Sequence, residues 1–480
     1  MNKSIARQIL LIVYGAIILL AGCFPEDSLH WSDDGSVGLL TTNKTLSLVD
    51  GRTSELTIIQ AEGVMAWPGI SPDGHQIAYG CESTCATLAE GLNSLPTGQR
   101  KMIEQDAQSL REKILGNILT VTDFNSIPDD LFGHGKSYNA WVVRTLCENA
   151  DETIARKLGD RLLRQGKAMT LDCCELLIVS SADLNHKTTL LTSVLPIYNL
   201  RFSPDGKYLG YLVFDSEKLE QPHLFVASLQ HDLPAVHVAS KVALGFDWRE
   251  DSQAIAYMQQ EPNDDLLGVI FERQICDSNG VFLDEISTDA SDKPLEIHHS
   301  TGPTKQLVGT LFNSEAKVAY GVGGRLFFSS ISAYIPTSDL TEPEYTLFYY
   351  DFVTGTVTDV LPANVPTYVG QTVNYFSLSP DGRKVLLPMP KNRFAIYELG
   401  TQSPTIPILE TEQFGEDVPV FLPSWKGNDR VSCVVAENSH FLTGDKGQPH
   451  SRKEVVELNS KGDYLSTLST DWPDDLIPGE

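Results

Sequence analysis

Three stretches of this chain repeat one another at a distance: ISPDGHQIAYG from Ile70, FSPDGKYLGYL from Phe202 and LSPDGRKVLLP from Leu378. Each joins two short apolar runs through Ser-Pro-Asp-Gly. Proline presets φ for the turn, the aspartate side chain accepts from the turn's own amides, and glycine takes the positive φ that closes it. The alternation that follows, as in Ile77-Ala78-Tyr79, fits a half-buried strand. A unit of this kind cannot bury both faces alone, so its recurrence predicts like units stacked on one another.

Aligned on the turn, four weaker copies join the three: HWSDDGSVGLLTT from His30, WREDSQAIAYM from Trp248, LFNSEAKVAYG from Leu311 and SWKGNDRVSCV from Ser424. The turn positions are then Asp34, Asp73, Asp205, Asp251, Ser314, Asp381 and Gly427, spaced by 39, 132, 46, 63, 67 and 46 residues. Two more strand-like runs follow several of them. These are HLFVASL and AVHVAS after Asp205, RFAIYEL and TIPILE after Asp381, and EVVELNS and DYLSTLS after Gly427. Four strands in about 40 to 50 residues make one blade of a β-propeller. The expected fold is therefore all-β, a propeller of seven four-stranded blades over residues 30–480, with six or eight as the alternatives. The Ser-Pro-Asp-Gly residues are read as structural: Asp34, Asp73, Gly74, Asp205, Gly206, Asp381 and Gly382 shape turns. The rival role for Asp73, Asp205 and Asp381 is a cation-attracting ring on the channel.

The 132-residue gap leaves about 90 residues beyond one blade. Within it, QRKMIEQDAQSLREKILGNIL from Gln99 and the run from Tyr138 to Gly166 have helical spacing. The second reads as two helices or one bent one. Strand pattern resumes at Cys173, so residues 86–172 are expected to form a helical insertion in blade two. Cys81 and Cys85 precede it, and Cys173 and Cys174 follow it. A blade's second and third strands are neighbours, so these two pairs are expected to meet and to form one or two disulfides. A four-thiolate metal site and buried free thiols are the alternatives, although C-x-x-x-C and C-C spacings lack the usual zinc knuckle.

The amino terminus adds a second constraint. Lys3 and Arg7 precede an apolar run from Ile9 to Ala21, which ends in Leu20-Ala21-Gly22-Cys23. A basic start, a short apolar core and small residues before a cut describe a secretory signal over residues 1–22. The run is short for a membrane span. The ending resembles the lipobox of bacterial lipoproteins, which implies lipidation of Cys23, a tether over residues 23–29 and membrane attachment through the lipid. Phe24 stands where an aspartate would favour inner-membrane retention, so the resemblance implies an outer-membrane leaning within the cell envelope. An exported protein lives where disulfides persist.

Ser-Pro-Asp-Gly followed by an apolar strand resembles the WD-like repeats of TolB-type propellers. The resemblance covers most of the chain from about residue 28. It implies a protein-binding or scaffold role in envelope complexes and a protein partner there. The formal charge of −27 disfavours nucleic acid as a partner.

No contiguous catalytic signature is present: no G-x-S-x-G elbow, no H-E-x-x-H, no phosphate-binding P-loop. Prolyl-oligopeptidase-type enzymes carry such propellers but also need a hydrolase domain, and no segment is free to supply one. His298-His299 is the one adjacent histidine pair, and neighbours on a strand point to opposite faces. The expectation is accordingly a chain that is not an enzyme, with no cofactor, no metal and no catalytic residue. The alternative is a propeller enzyme of lactonase, glycosidase or lyase type, whose channel would gather His or carboxylate side chains from several blades.

Overall fold

The computed structural model describes residues 28–42, 45–65, 67–214, 222–230, 235–276, 284–285, 299–300, 302–331, 344–360, 368–369, 376–389, 393–399, 420–436, 453–459 and 464–469. Seven antiparallel sheets follow one another along it. Blade I holds Ser28–Trp31, Val37–Thr42, Thr45–Asp50 and Leu56–Gln60, and blade II holds Gly69–Ile70, Gln76–Cys85, Leu171–Ser180 and Asp183–Ser193. Blade III comprises Ile197–Phe202, Tyr208–Phe214, Pro222–Ser228 and Val236–Ala239, and blade IV comprises Val242–Trp248, Ala254–Glu261, Asp264–Gln274 and Thr304–Leu311. Blade V is Val318–Gly321, Arg325–Ile331, Glu344–Asp351 and Thr356–Asp359. Blade VI shows Ser377–Leu378, Lys384–Met389 and Arg393–Glu398, and its fourth run, 405–410, lies outside the described residues. Blade VII is Val420–Trp425, Arg430–Ala436, Lys453–Asn459 and Tyr464–Ser469. The first strand of each blade touches the first strand of the next, and Ser28–Trp31 touches Val420–Trp425. The seven inner strands therefore form a closed ring: the fold is a seven-bladed β-propeller.

Local chemistry fixes the turns between first and second strands. In three of them the serine hydroxyl donates to the aspartate Oδ1: Ser71 to Asp73 at 2.6 Å, Ser203 to Asp205 at 2.7 Å and Ser379 to Asp381 at 2.6 Å. The same carboxylates accept the backbone N–H of His75, Lys207 and Arg383. Asp34 does the same with Ser32 and Ser36. Gly35, Gly74, Gly206 and Gly382 sit at φ 64 to 72°. In blade IV Ser252 takes that place at φ 61°. These carboxylates serve their own turns, and the turns touch around the ring. Asp33 N donates to Pro72 O at 3.1 Å, Asp205 N to Ser252 Oγ at 3.0 Å and Asp381 N to Asn428 Oδ1 at 2.8 Å.

One turn assignment needs correction. Leu311 ends the outer strand of blade IV, and Val318–Gly321, read from sequence as a second strand, is the inner strand of blade V. The turn is Val322-Gly323-Gly324, not Asn313-Ser314-Glu315; Gly323 and Gly324 both take positive φ. A Gly-Gly turn carries none of the side-chain signature that marks the others, whereas the link Asn313-Ser314-Glu315 between blades imitates it.

No strand is shared between the chain's two ends, among the described residues, so side chains close the ring. Trp31 ends the inner strand of blade I, is buried, and donates its indole N–H to Ser432 Oγ of blade VII at 2.6 Å. Lys426 lies 4.9 Å from the centroid of the Trp31 ring, donates to Gly51 O at 2.7 Å, and pairs with the equally buried Glu457 at 2.9 Å. Burial alone would raise the Glu457 pKa; hydrogen bonds from Lys426 and Arg430 outweigh it and hold the carboxyl below its usual value. The motif recurs inside the ring. Trp248 donates to Arg201 O of blade III at 3.1 Å, and Trp425 to Ser377 O of blade VI at 2.9 Å.

Residues between the second and third strands of blade II form four helices: α1 (Leu88–Ser94), α2 (Thr97–Leu115), α3 (Lys136–Glu148) and α4 (Glu152–Lys167). The pair expected from Tyr138 onward is α3 and α4, and α4 itself bends at Gly159, whose φ is 76°. Asp151 caps α4, accepting from Thr153 N and Ile154 N at 2.9 Å each. Apolar residues of all four helices share one core with blades II and III. Trp141 is fully buried in it and donates to Asp172 O at 2.7 Å. Gln99 ties α2 to the outer strand through Ser193 and Val194. The helices thus extend the sheet core as one packed body. Inner strands run toward the Ser-Pro-Asp-Gly turns, so the chain enters blade I on the opposite face. The insertion leaves blade II from that same face.

The expected disulfides are not formed. Cys81, Cys85, Cys173 and Cys174 are all free thiols. The register pairs Cys81 with Glu175 and Glu82 with Cys174, so Cys81 and Cys174 sit one residue out of step and point to opposite faces. Cys81 Sγ lies instead against the carbonyls of Glu62 and Glu82. Cys85 and Cys173 lie diagonally, with sulfurs 3.7 Å apart.

Trp31→Ala should cost about 3–5 kcal/mol by leaving a cavity at the seam, whereas Trp31→Phe should cost about 1 kcal/mol, mainly the lost hydrogen bond. Urea unfolding of both variants checks this; equal losses would sink the packing account. Under an oxidising glutathione buffer, Cys85–Cys173 should be the first cross-link seen by non-reducing peptide mapping. It should form slowly, because burial and the neighbouring Cys85 raise the Cys173 pKa and keep it thiol. A first cross-link through Cys81 or Cys174 would contradict it.

Candidate functional site

Two places gather groups that the fold does not consume. The first is the axis. The last residue of most inner strands is a buried anchor: Trp31, Phe202, Trp248 and Trp425. The residue before it keeps solvent contact and lies along the inner strand: His30 in blade I, Arg201 in blade III, Asp247 in blade IV, Ser377 in blade VI and Ser424 in blade VII, whereas Tyr320 of blade V turns outward, stacks on Phe352 and donates to Glu272 of blade IV at 2.6 Å. Lys317 joins them just ahead of the inner strand of blade V.

These side chains interact across blades. Arg201 Nη1 pairs with Asp247 Oδ1 at 2.9 Å, and Tyr320 N donates to Asp247 Oδ2 at 2.7 Å. One carboxylate therefore links blades III, IV and V. The charge of Lys317 in blade V reaches His30 in blade I, although the two blades are not neighbours. His30 is exposed at the surface, yet closely surrounded by protein. Burial, then the charges of Arg201 and Lys317, push its pKa down to about 4. The imidazole is neutral at pH 7. Burial and Arg201 likewise push Lys317 down to about 7, with Asp247 pulling the other way. The Lys317 ammonium lies 5.6 Å from the centroid of the Phe376 ring and makes no hydrogen bond among the described residues. At the channel rim burial, then Asp34 and Asp247, raise the Asp33 pKa.

The wall thus combines two cations, one carboxylate already paired and a neutral histidine. It is neither the small, apolar lining that favours a plain scaffold nor a convergence of three or four His and carboxylate groups. No cluster of three metal-ligating side chains occurs among the described residues. Sequence reasoning did not single out Arg201, Asp247 or Lys317. Their signal is positional: a polar residue directly before the buried aromatic that precedes each turn, as in His30-Trp31, Arg201-Phe202 and Asp247-Trp248.

The second place is the insertion's surface. Residues 86–172 hold 11 of the chain's 36 basic residues and 12 of its 63 acidic ones, a net of −1. The remainder carries −27 − (−1) = −26. On α4, Arg156, Lys157, Arg161, Arg164 and Lys167 are all exposed, against Glu152 and Asp160. Arg156 makes a loose pair with Glu152 at 3.8 Å, which solvent renders weak. A basic surface thus stands on an acidic protein.

Other residues singled out from sequence lie elsewhere. Cys23 and His298 fall outside the described residues. His299 sits on a short strand paired with His237 at the edge of blade III.

No known protein family and no curated protein matches this sequence. Solved structures do. TolB from Acinetobacter baumannii is 19% identical over 61% of this chain and 58% of that one, with a TM-score of 0.35. The β-propeller domain of the Trilobed protease from Pyrococcus furiosus, described as having an open velcro topology, is 11% identical over 95% of this chain and 100% of that one, TM-score 0.46. An oligogalacturonate lyase in complex with manganese is 12% identical over 75% and 73%, TM-score 0.41. The expectation of a non-enzyme is corrected by this finding: similar structures include a lyase and the propeller of a protease. The physical reason is that channel residues come from separate blades, so a missing contiguous motif does not count against catalysis in a propeller.

Lys317 gives this site a stability signature. Its folded pKa, about 7, lies below that of the unfolded chain. The unfolded state therefore binds more protons between about pH 7 and 10.5, and stability, the free energy of unfolding, rises with pH across that window. Lys317→Met should raise the melting temperature most below pH 7, and the gain should shrink to nothing by about pH 10.5. A pH-independent effect in differential scanning calorimetry would contradict this placement of the amine.

Proposed function

We propose that this protein is a lipid-anchored propeller of the bacterial cell envelope that binds a protein partner, with the helical insertion as its recognition element. The supporting observation is the segregation of charge: an exposed basic surface on α4, built into the propeller's core, on a chain of net charge −27. Its complement is an acidic protein surface. Charges at the rim of such a contact speed encounter and set specificity more than they add affinity. The lipobox-like Leu20-Ala21-Gly22-Cys23 supports attachment through Cys23, with the outer membrane preferred because Phe24 follows. Multiple acyl chains make such attachment stable.

Cys23→Ala should move the protein from the membrane fraction to the soluble fraction. Independently, Arg161→Glu, Arg164→Glu and Lys167→Glu together should cut recovery of a cross-linked envelope protein by about tenfold, leaving Cys23-dependent fractionation unchanged. Unchanged recovery would overturn the docking role of α4. If instead the triple variant leaves the membrane fraction, anionic headgroups rather than a protein are its target.

A further inference from the structure

At the outer edge of blade III we infer a binding site for a divalent transition-metal ion of the imidazole-preferring kind, such as Zn²⁺. His223 and His237 hold it, and the register positions of His299 and Glu285 complete it. This is independent of the docking surface on α4. Three observations carry it. First, heteroatoms converge. His223 Nδ1 lies 3.3 Å from His237 Nε2, and Ser240 Oγ lies 3.1 Å from that same Nε2. An imidazole nitrogen has one in-plane position, for a proton or for a lone pair, so it cannot serve both neighbours fully. Second, the spacing fits. Two nitrogens bound to one tetrahedral ion at about 2.0–2.1 Å stand about 3.3–3.4 Å apart. The buried His237 and the half-buried His223 hold that separation across adjacent strands.

Third, the register extends the row. His237 pairs with His299 on the short strand His299–Ser300, and His299 pairs with Glu285 on Asp284–Glu285. Directly paired positions share one face of a sheet. His223 stands two residues before Phe225, the direct partner of His237 on the other side. Three of the chain's 11 histidines and one carboxylate residue thus fall in one row across four strands. Imidazole suits zinc, copper and nickel, where calcium and magnesium take oxygen ligands. On binding, the ion takes the place of the proton shared between His223 and His237, and that proton leaves to solvent. The two outermost strands hold two residues each, too few for ladder bonds alone to secure an edge. An ion bridging them to His237 pins them to the blade.

Calorimetric titration of the intact, chelator-washed protein with Zn²⁺ tests this. One equivalent should bind, and Co²⁺ in its place should give visible bands without thiolate charge transfer. His223→Asn and His237→Gln each keep a hydrogen-bonding group near the engaged nitrogen. Both should weaken binding at least about tenfold, and so should His299→Ala, the least that loss of a group supporting a metal costs. His75→Asn, on the exposed turn of blade II, should leave the affinity unchanged. The sulfurs of Cys85 and Cys173 also lie close together, so Cys85→Ser is titrated in parallel. Binding lost in that variant, or thiolate bands with Co²⁺, would place the ion on the sulfurs and overturn the site. So would the lack of a saturable equivalent, or an undiminished affinity in any of the three histidine variants.

Discussion

A propeller is only as stable as its seam. Here the first and last blades share no strand among the described residues, and one indole carries much of the closure. Trp31 fills the space between blades I and VII, donates to Ser432, and lies under the ammonium of Lys426. The same device joins blades III and IV through Trp248 and blades VI and VII through Trp425. A large flat side chain suits the wedge between two twisted sheets, and its single N–H meets a buried acceptor that would otherwise go unpaired. The seam therefore uses the ring's ordinary inter-blade joint and reinforces it with the buried Lys426–Glu457 pair.

That joint also places the channel wall. An anchor that points to one adjacent blade sends its neighbour along the strand to the opposite sheet face, toward the other: Trp248 reaches blade III and Asp247 reaches blade V. His30, Arg201 and Asp247 keep solvent contact where Trp31, Phe202 and Trp248 are buried. Structural and functional roles are thus interleaved residue by residue, and Lys317 breaks the pattern as the one cation left without a hydrogen-bond acceptor among the described residues of this wall.

Much of the fold was legible in the sequence because the Ser-Pro-Asp-Gly turn is local chemistry. Its hydroxyl, carboxylate and glycine all act within five residues. The insertion was legible for the same reason, through helical periodicity and a broken repeat interval. Blade V's turn was not, since Gly323-Gly324 carries no side chains to recognise. That the two cysteine pairs would meet could be foreseen from strand adjacency. Their pairing could not, because it depends on register: a one-residue offset sends Cys81 and Cys174 to opposite faces and leaves only Cys85 and Cys173 within reach. The axial cluster was hidden for a stronger reason. Arg201 and Lys317 are more than one hundred residues apart in sequence and come onto one side of the ring only once blades III, IV and V have stacked.

The direction of the inner strands has a consequence for how the whole body would stand in its surroundings. The chain enters blade I at Ser28 on the face that bears the insertion. Ser28 lies five residue steps beyond Cys23, a reach of about 17 Å at full extension. With an anchor at Cys23, the molecule would sit insertion side down, like a disc on a short leash, and the Ser-Pro-Asp-Gly turns would look away from the lipid. A partner that grips α4 would then have to lie alongside the bilayer or be embedded in it, while the turn that carries Asp33 would face away from the lipid.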